Sequence, residues 1–196
     1  MEANWKVFVV SDDYKWVLLI VMVQILHYLI VVIGAGKPRS KLFTQEWMQE
    51  HFGQIHSEEL DGQQIIKGGY PDHGSGRYTM KAGYAAWMEF NKAQRVHYNY
   101  LEHISQMICM FLVTGLAYPK TTTVVASLYT AGRILFGVGY SLYGPKGRMA
   151  AVPIIMLTQF FFPAFMMFAM WKMTSWGGDN LADAQAKFNE INATSA

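Results

Sequence analysis

Four residues at the start of an apolar stretch carry the first chemical signal. Arg95, Asn99, Glu102 and Gln106 recur at i, i+4, i+7 and i+11, which at 100° per residue keeps them within ~60° of one helical face. A cation, an amide and an anion presented together suit an anchored zwitterion; the same groups also suit an interfacial ion pair between Arg95 and Glu102 that fixes helix packing. Burying either charge alone costs several kcal/mol, so the stripe needs a partner of one kind or the other. Further along, Arg133 and Tyr140 lie seven residues apart on one face, with Phe136 and Gly137 between them. An arginine within an apolar window faces the interior or a water-filled cavity, or serves as a structural bolt to Glu102 or to backbone carbonyls. Arg148 stands at a helix mouth, where a basic residue on its own marks topology. His97 and His103 flank the stripe, but neither a Glu-x-x-His pair nor a His-Glu-x-x-His run occurs, so no metal site is expected. Nor is there a serine nucleophile elbow or a cysteine–histidine pairing.

The elements that hold these residues follow from composition. Of 196 residues 52% are hydrophobic and 15% charged, with a net charge of +2. Trp16–Gly36, His103–Pro119, Thr121–Pro145 and Met149–Trp171 contain a single charge, Arg133. Each window approaches the ~20 residues that cross a bilayer. The expected fold class is therefore all-α, an integral membrane four-helix bundle with spans at 14–33, 95–118 as the membrane part of a helix from 82, 122–143 and 150–172. An ordinary soluble α/β enzyme, a disordered chain and a nucleic-acid binder are excluded. So is a disulfide scaffold, because Cys109 is the sole cysteine. The first span lacks a basic region before it and a cleavage site after it, so it is expected to persist in the mature protein. It should stop at Gly34–Pro38. A long loop over 37–81 follows, in which Thr44 is placed to cap a short helix carrying Trp47, Met48, Phe52 and Ile55 on one face, suited to the headgroup region. The Gly68–Arg77 stretch is turn chemistry. A tail from 177 to 196 has Leu181, Ala184, Phe188 and Ile191 at amphipathic spacing, and Asn192-Ala-Thr194 forms a glycosylation sequon. Lys and Arg concentrate in the loops after the first and third windows, which turns both termini away from the cytosolic side.

Phe90-Asn-Lys-Ala-Gln-Arg-Val-His-Tyr-Asn-Tyr-Leu-Glu102, Gly132-Arg-Ile-Leu-Phe-Gly-Val-Gly-Tyr140 and Gly144-Pro-Lys-Gly-Arg148 together resemble the MAPEG family of membrane-associated eicosanoid and glutathione proteins, most nearly the third subtype of microsomal glutathione transferase. The resemblance implies a homotrimer with glutathione as cosubstrate, bound between subunits at the cytosolic side. It implies that Arg95, Asn99 and Glu102 hold the tripeptide's carboxylates and amine, with His97 beside them, Tyr140 and Arg133 joining from the third span, and Arg148 stabilising the thiolate as the catalytic residue. A free thiol titrates near about 8.5, and an adjacent guanidinium lowers that value. The implied activity is a glutathione transferase or lipid hydroperoxide peroxidase acting on hydrophobic electrophiles among membrane lipids of the endoplasmic reticulum or mitochondrion. The alternative is a catalytically reduced member serving as a lipid-binding scaffold or accessory subunit of a larger membrane complex. Ser105 stands in place of a proline and His103 where some members have tyrosine; the alternative is favoured by a first loop longer than in the animal enzymes, by Phe136 in place of a frequent tyrosine and by Gly36 where a binding arginine is expected. That last change leaves Lys37 or Arg39 as substitutes. A channel or transporter has little support, as no broken repeat pair is present.

Overall fold

The computed structural model describes residues 10–70, 72–175, 186, 189 and 190. They form five helices: α1 (Tyr14–Leu42), α2 (Gln45–Glu59), α3 (Tyr84–Ala117), α4 (Pro119–Tyr143) and α5 (Val152–Ser175), with single 3-10 turns at Thr79–Lys81 and Gly144–Lys146. No strand occurs among the described residues. The amphipathic tail and the sequon lie outside the described residues, apart from helical positions 186, 189 and 190.

Three helices, α1, α3 and α5, are long and apolar enough to cross a membrane. The outer surfaces of α1 and α5 are hydrocarbon: Ile30, Ile33, Leu157, Phe160 and Met167 are all exposed, whereas Gln24, Thr114, Thr130, Arg133 and Thr158 are buried. Apolar outside and polar within is the reverse of a water-soluble bundle. The fourth expected span, α4, is 25 residues long. It falls short in composition, because Thr121, Thr122, Thr123, Ser127, Thr130 and Arg133 dilute its apolar residues. At 34 residues, α3 is about 51 Å long against a hydrocarbon layer of ~30 Å.

The chain divides into two compact units. One comprises residues up to Val23, Ser105–Ala131 and the chain from Ile154; the other comprises Gln24–Ile104 and Gly132–Pro153. In the first, Phe111 packs edge-on against Tyr129 and Phe162, with ring centroids 5.9 and 4.9 Å apart. The Tyr14 hydroxyl donates to the Leu112 carbonyl at 3.2 Å.

In the second unit α1 overruns its expected stop. Gly34 and Pro38 are local helix breakers, yet the helix continues to Leu42 with Pro38 inside it. Its last turns are held from outside: the Arg39 guanidinium donates to the carbonyls of Gly68, Tyr70 and Asp72 at 2.6, 3.0 and 3.2 Å. Tertiary anchoring outweighs propensity here. Thr44 caps α2 as its position predicts, its hydroxyl accepting from the Trp47 amide at 3.2 Å. The apolar face of α2 is not left for headgroups, however. Met48 and Phe52 join Phe43, Ile65 and Phe90 in a buried cluster flanked by Trp47 and Tyr78, and Ile55 of the expected face remains exposed.

Asp72 organises the following loop. Its carboxylate accepts the backbone N–H groups of Gly74, Gly76, Tyr78 and Thr79 at 2.9–3.0 Å, and the Thr79 hydroxyl at 3.1 Å. Burial by itself raises a carboxyl, but these donors prevail and hold Asp72 below the usual carboxylate range. At Gly74, φ is +101° and an added Cβ would lie 2.6 Å from Asn91 Oδ1. The position therefore requires glycine twice over, by conformation and by space.

Candidate functional site

All seven residues singled out for binding or catalysis fall within the second unit. On α3 the stripe divides by exposure. Arg95, Glu102 and Gln106 are exposed and Asn99 is half-buried. Among the described residues no ion pair joins Arg95 to Glu102, so the packing-bolt reading of that pair is not realised there.

Arg133 on α4 is 2% exposed. Its Nη1 donates to Asn99 Oδ1 at 2.7 Å, and its guanidinium carbon lies 5.2 Å from the centre of the Tyr100 ring. The structure thus brings Arg133 to Asn99.

His97, expected beside the stripe, is placed elsewhere. It is 200° around the helix from Arg95, and its Nε2 meets the Tyr28 hydroxyl at 3.2 Å, with the two rings stacked 5.8 Å apart. Tyr98 reaches the loop, its hydroxyl bonded to His73 Nδ1.

Tyr140 is 8% exposed and stacks on Phe136, ring centroids 5.7 Å apart at 22°. The ring that departs from the family pattern therefore occupies the face of the one that follows it. Arg148 is exposed in the turn between α4 and α5. That turn is fastened close to α4: a Cβ on Gly139 would fall 2.2 Å from the Gly147 carbonyl oxygen, and one on Gly147 would fall 1.8 Å from the Gly139 oxygen. Backbone lies on backbone, which only glycine on both sides allows.

Of the two substitutes for the arginine missing at Gly36, Arg39 is engaged by the three loop carbonyls, while Lys37 is exposed. Among the described residues no group of three His, Cys, Asp or Glu side chains is arranged to hold a metal.

Sequence reasoning missed the wall behind the stripe. Gln24, His27 and Tyr28 on α1 meet α3: the Tyr100 hydroxyl donates to the Gln24 carbonyl at 3.2 Å and lies 3.3 Å from His27 Nδ1, while the Tyr28 ring stands edge-on to Tyr100 at 5.5 Å. The available signal was His27, with Gln24 three residues before it, in an otherwise apolar span, although Gln24 meets Tyr100 only through its backbone carbonyl. Two such polar groups in a membrane helix face the bundle interior.

A family model, the MAPEG family, matches residues 15–170, the greater part of the chain. The chain belongs to the MAPEG family. No curated protein and no solved structure matches it. MAPEG membership and three apolar helices make this an integral membrane protein, and membership is consistent with glutathione-related transferase or peroxidase chemistry. The match includes every residue of the stripe and of the α4–α5 turn, so the placements above are those of a MAPEG chain and not of an appended segment.

Proposed function

We propose that this chain is a glutathione-dependent membrane enzyme of the transferase or lipid hydroperoxide peroxidase type, nearest the third subtype of microsomal glutathione transferase. The observation that carries the reading is the exposure of Arg95 and Glu102, with half-buried Asn99 on the same face of an apolar helix. Unsheltered charges at membrane depth cost several kcal/mol against lipid. A second copy covering that face, and a zwitterionic ligand held between the copies, remove the cost together. This favours a homotrimer of four-span subunits, with α4 completing the bundle and both termini away from the cytosolic side.

The donor set fits the tripeptide. Arg95 and Asn99 suit its carboxylates, Glu102 suits its ammonium, and Tyr140 adds a hydroxyl from α4. Glutathione supplies a thiol. Arg148 is the cation assigned to the thiolate; a guanidinium in a partly desolvated place favours the charged sulfur and so makes a nucleophile available at neutral pH.

The deciding experiment is conjugation of glutathione to a hydrophobic electrophile by protein purified in mild detergent. Arg148→Ala should lose about 10²-fold in turnover while still binding glutathione, because Arg95, Asn99 and Glu102 are the groups assigned to the tripeptide's carboxylates and amine. Full activity in that variant removes Arg148 from the mechanism.

A second reading, a catalytically reduced scaffold or accessory subunit, is favoured by one observation, the Phe136 ring laid on Tyr140. Native mass separates the two. A homotrimer of 22.3 kDa chains supports the enzyme, and stable co-purification with a large membrane complex supports the accessory role.

A further inference from the structure

Arg133 and Asn99 belong to different helices, and the chemistry of their contact is one-sided. A guanidinium has only donors. The Asn99 amide must therefore present its oxygen to Arg133, as it does at 2.7 Å, and its Nδ2 group is turned the other way. Among the described residues that Nδ2 donates to nothing. Asn99 shares its helical face with exposed Arg95 and Glu102, so the free donor lies on the ligand side of the stripe. Arg133 itself, 2% exposed, does not open onto that face.

Resting on the glutathione reading above, we infer that Arg133 is a positioning residue: it fixes the orientation of the Asn99 amide, so that the site offers an N–H donor and selects a ligand carboxylate at that point. An unrestrained asparagine offers either end of its amide and discriminates poorly between an anion and an ammonium. One held by a buried guanidinium offers only the donor end. Arg133 is in turn held by the Tyr100 ring beneath it, and Tyr100 is fixed through its hydroxyl by Gln24 and His27. The specificity of an outward-facing amide is thereby set from inside the protomer, by residues that never meet the ligand.

The test is a double-mutant cycle read by equilibrium binding of glutathione and of glutathione diethyl ester to the full chain in detergent. Asn99→Ala and Arg133→Met should each weaken glutathione about tenfold, with far less effect on the diester, and the double variant should be no weaker than either single. Arg133→Lys, which keeps a cationic donor, should recover most of the loss. Asn99→Asp keeps an acceptor for Arg133 and so keeps the fold, but puts a carboxylate oxygen where the donor stood; it should bind glutathione more weakly than Asn99→Ala does. This variant carries the test should Arg133→Met fail to fold. Multiplying losses in the double variant, about a hundredfold together, would show Arg133 acting on the ligand independently of Asn99 and overturn the inference. So would wild-type binding by Asn99→Asp. If the unaltered chain binds neither glutathione nor its ester, the glutathione reading itself falls, an outcome distinct from a chain that binds and shows no coupling.

Discussion

In the unit that contains Ser105–Ala131 and the chain from Ile154, buried threonines satisfy themselves close to home. The hydroxyls of Thr114, Thr130 and Thr158 bond to the carbonyls of Met110, Ala126 and Ile154, each four residues back on the same helix. Thr122 to Thr114, at 3.2 Å, joins α3 and α4 across the tight turn between them. In the other unit, polar groups look far along the chain. Arg133 finds Asn99, Tyr100 finds Gln24, Tyr28 finds His97, and Arg39 gathers carbonyls from Gly68 to Asp72. The difference separates two jobs. A hydroxyl bonded to its own helix fills space without committing a neighbour, whereas a bond between helices fixes where a side chain points. Among the described residues, commitments of the second kind predominate in the unit that carries every candidate site residue, while the first unit has Tyr14 to Leu112 and Thr122 to Thr114.

Bonds that tie separate segments together, or that gather several donors on one group, should therefore cost more to remove than a hydroxyl's bond to its own helix, in a graded order. The largest effect is expected from Asp72→Ala, which strands several backbone donors at once. At about 1–3 kcal/mol for each buried unsatisfied group, the loop through Thr79 should open, read as loss of amide exchange protection over Gly74–Thr79 with α5 unaffected. Acid should do the same reversibly. Because the folded Asp72 carboxyl titrates below its ordinary value, its contribution is complete above that ordinary value and disappears as pH falls through the folded one. Protection of this loop should thus persist to lower pH than free aspartate titrates, then collapse; protection unchanged down to full protonation would rule out the carboxylate as organiser.

Tyr100→Phe comes next. It keeps the ring under Arg133 and loses the hydroxyl bonds, for about 1 kcal/mol, visible as a lower thermal midpoint. Thr158→Val should be smallest, under about 1 kcal/mol, since the hydroxyl serves only its own helix. A Thr158→Val cost equal to that of Asp72→Ala would erase the distinction between the units.

What could be read from the residue string follows the same division. The long helix α3 and the Thr44 cap rest on spacing and near neighbours, and both stand where the pattern put them, at Tyr84–Ala117 and at the start of α2. The end of α1 was misjudged because Gly34 and Pro38 act locally, while Arg39 holds the helix through residues about thirty positions away. The face of α2 was read correctly as apolar but assigned to lipid, since nothing local reveals that Phe43, Ile65 and Phe90 wait to cover it. On the site, the common face of Arg95, Asn99 and Glu102 was legible from helical geometry alone. The same arithmetic sets His97 200° from Arg95, although its nearness in sequence counts it as flanking the stripe. His27 and Tyr100 stayed invisible because a polar residue in a span announces that it has a partner without saying which, and Gln24 because it takes part through its backbone carbonyl, which no side chain reveals.

The contact of Gly139 with Gly147 bears on how this chain can change length. Two points of backbone pressed together close Tyr140–Lys146 into a ring of fixed circumference. An insertion or deletion inside it must either part the glycines or buckle the turn, so the offset between Tyr140 and Arg148 is held by geometry and not merely by inheritance. Variation in length is better accommodated in the exposed connection after α2, around Asp61–Gln64, where the backbone bonds reach back only to Ser57 and Leu60.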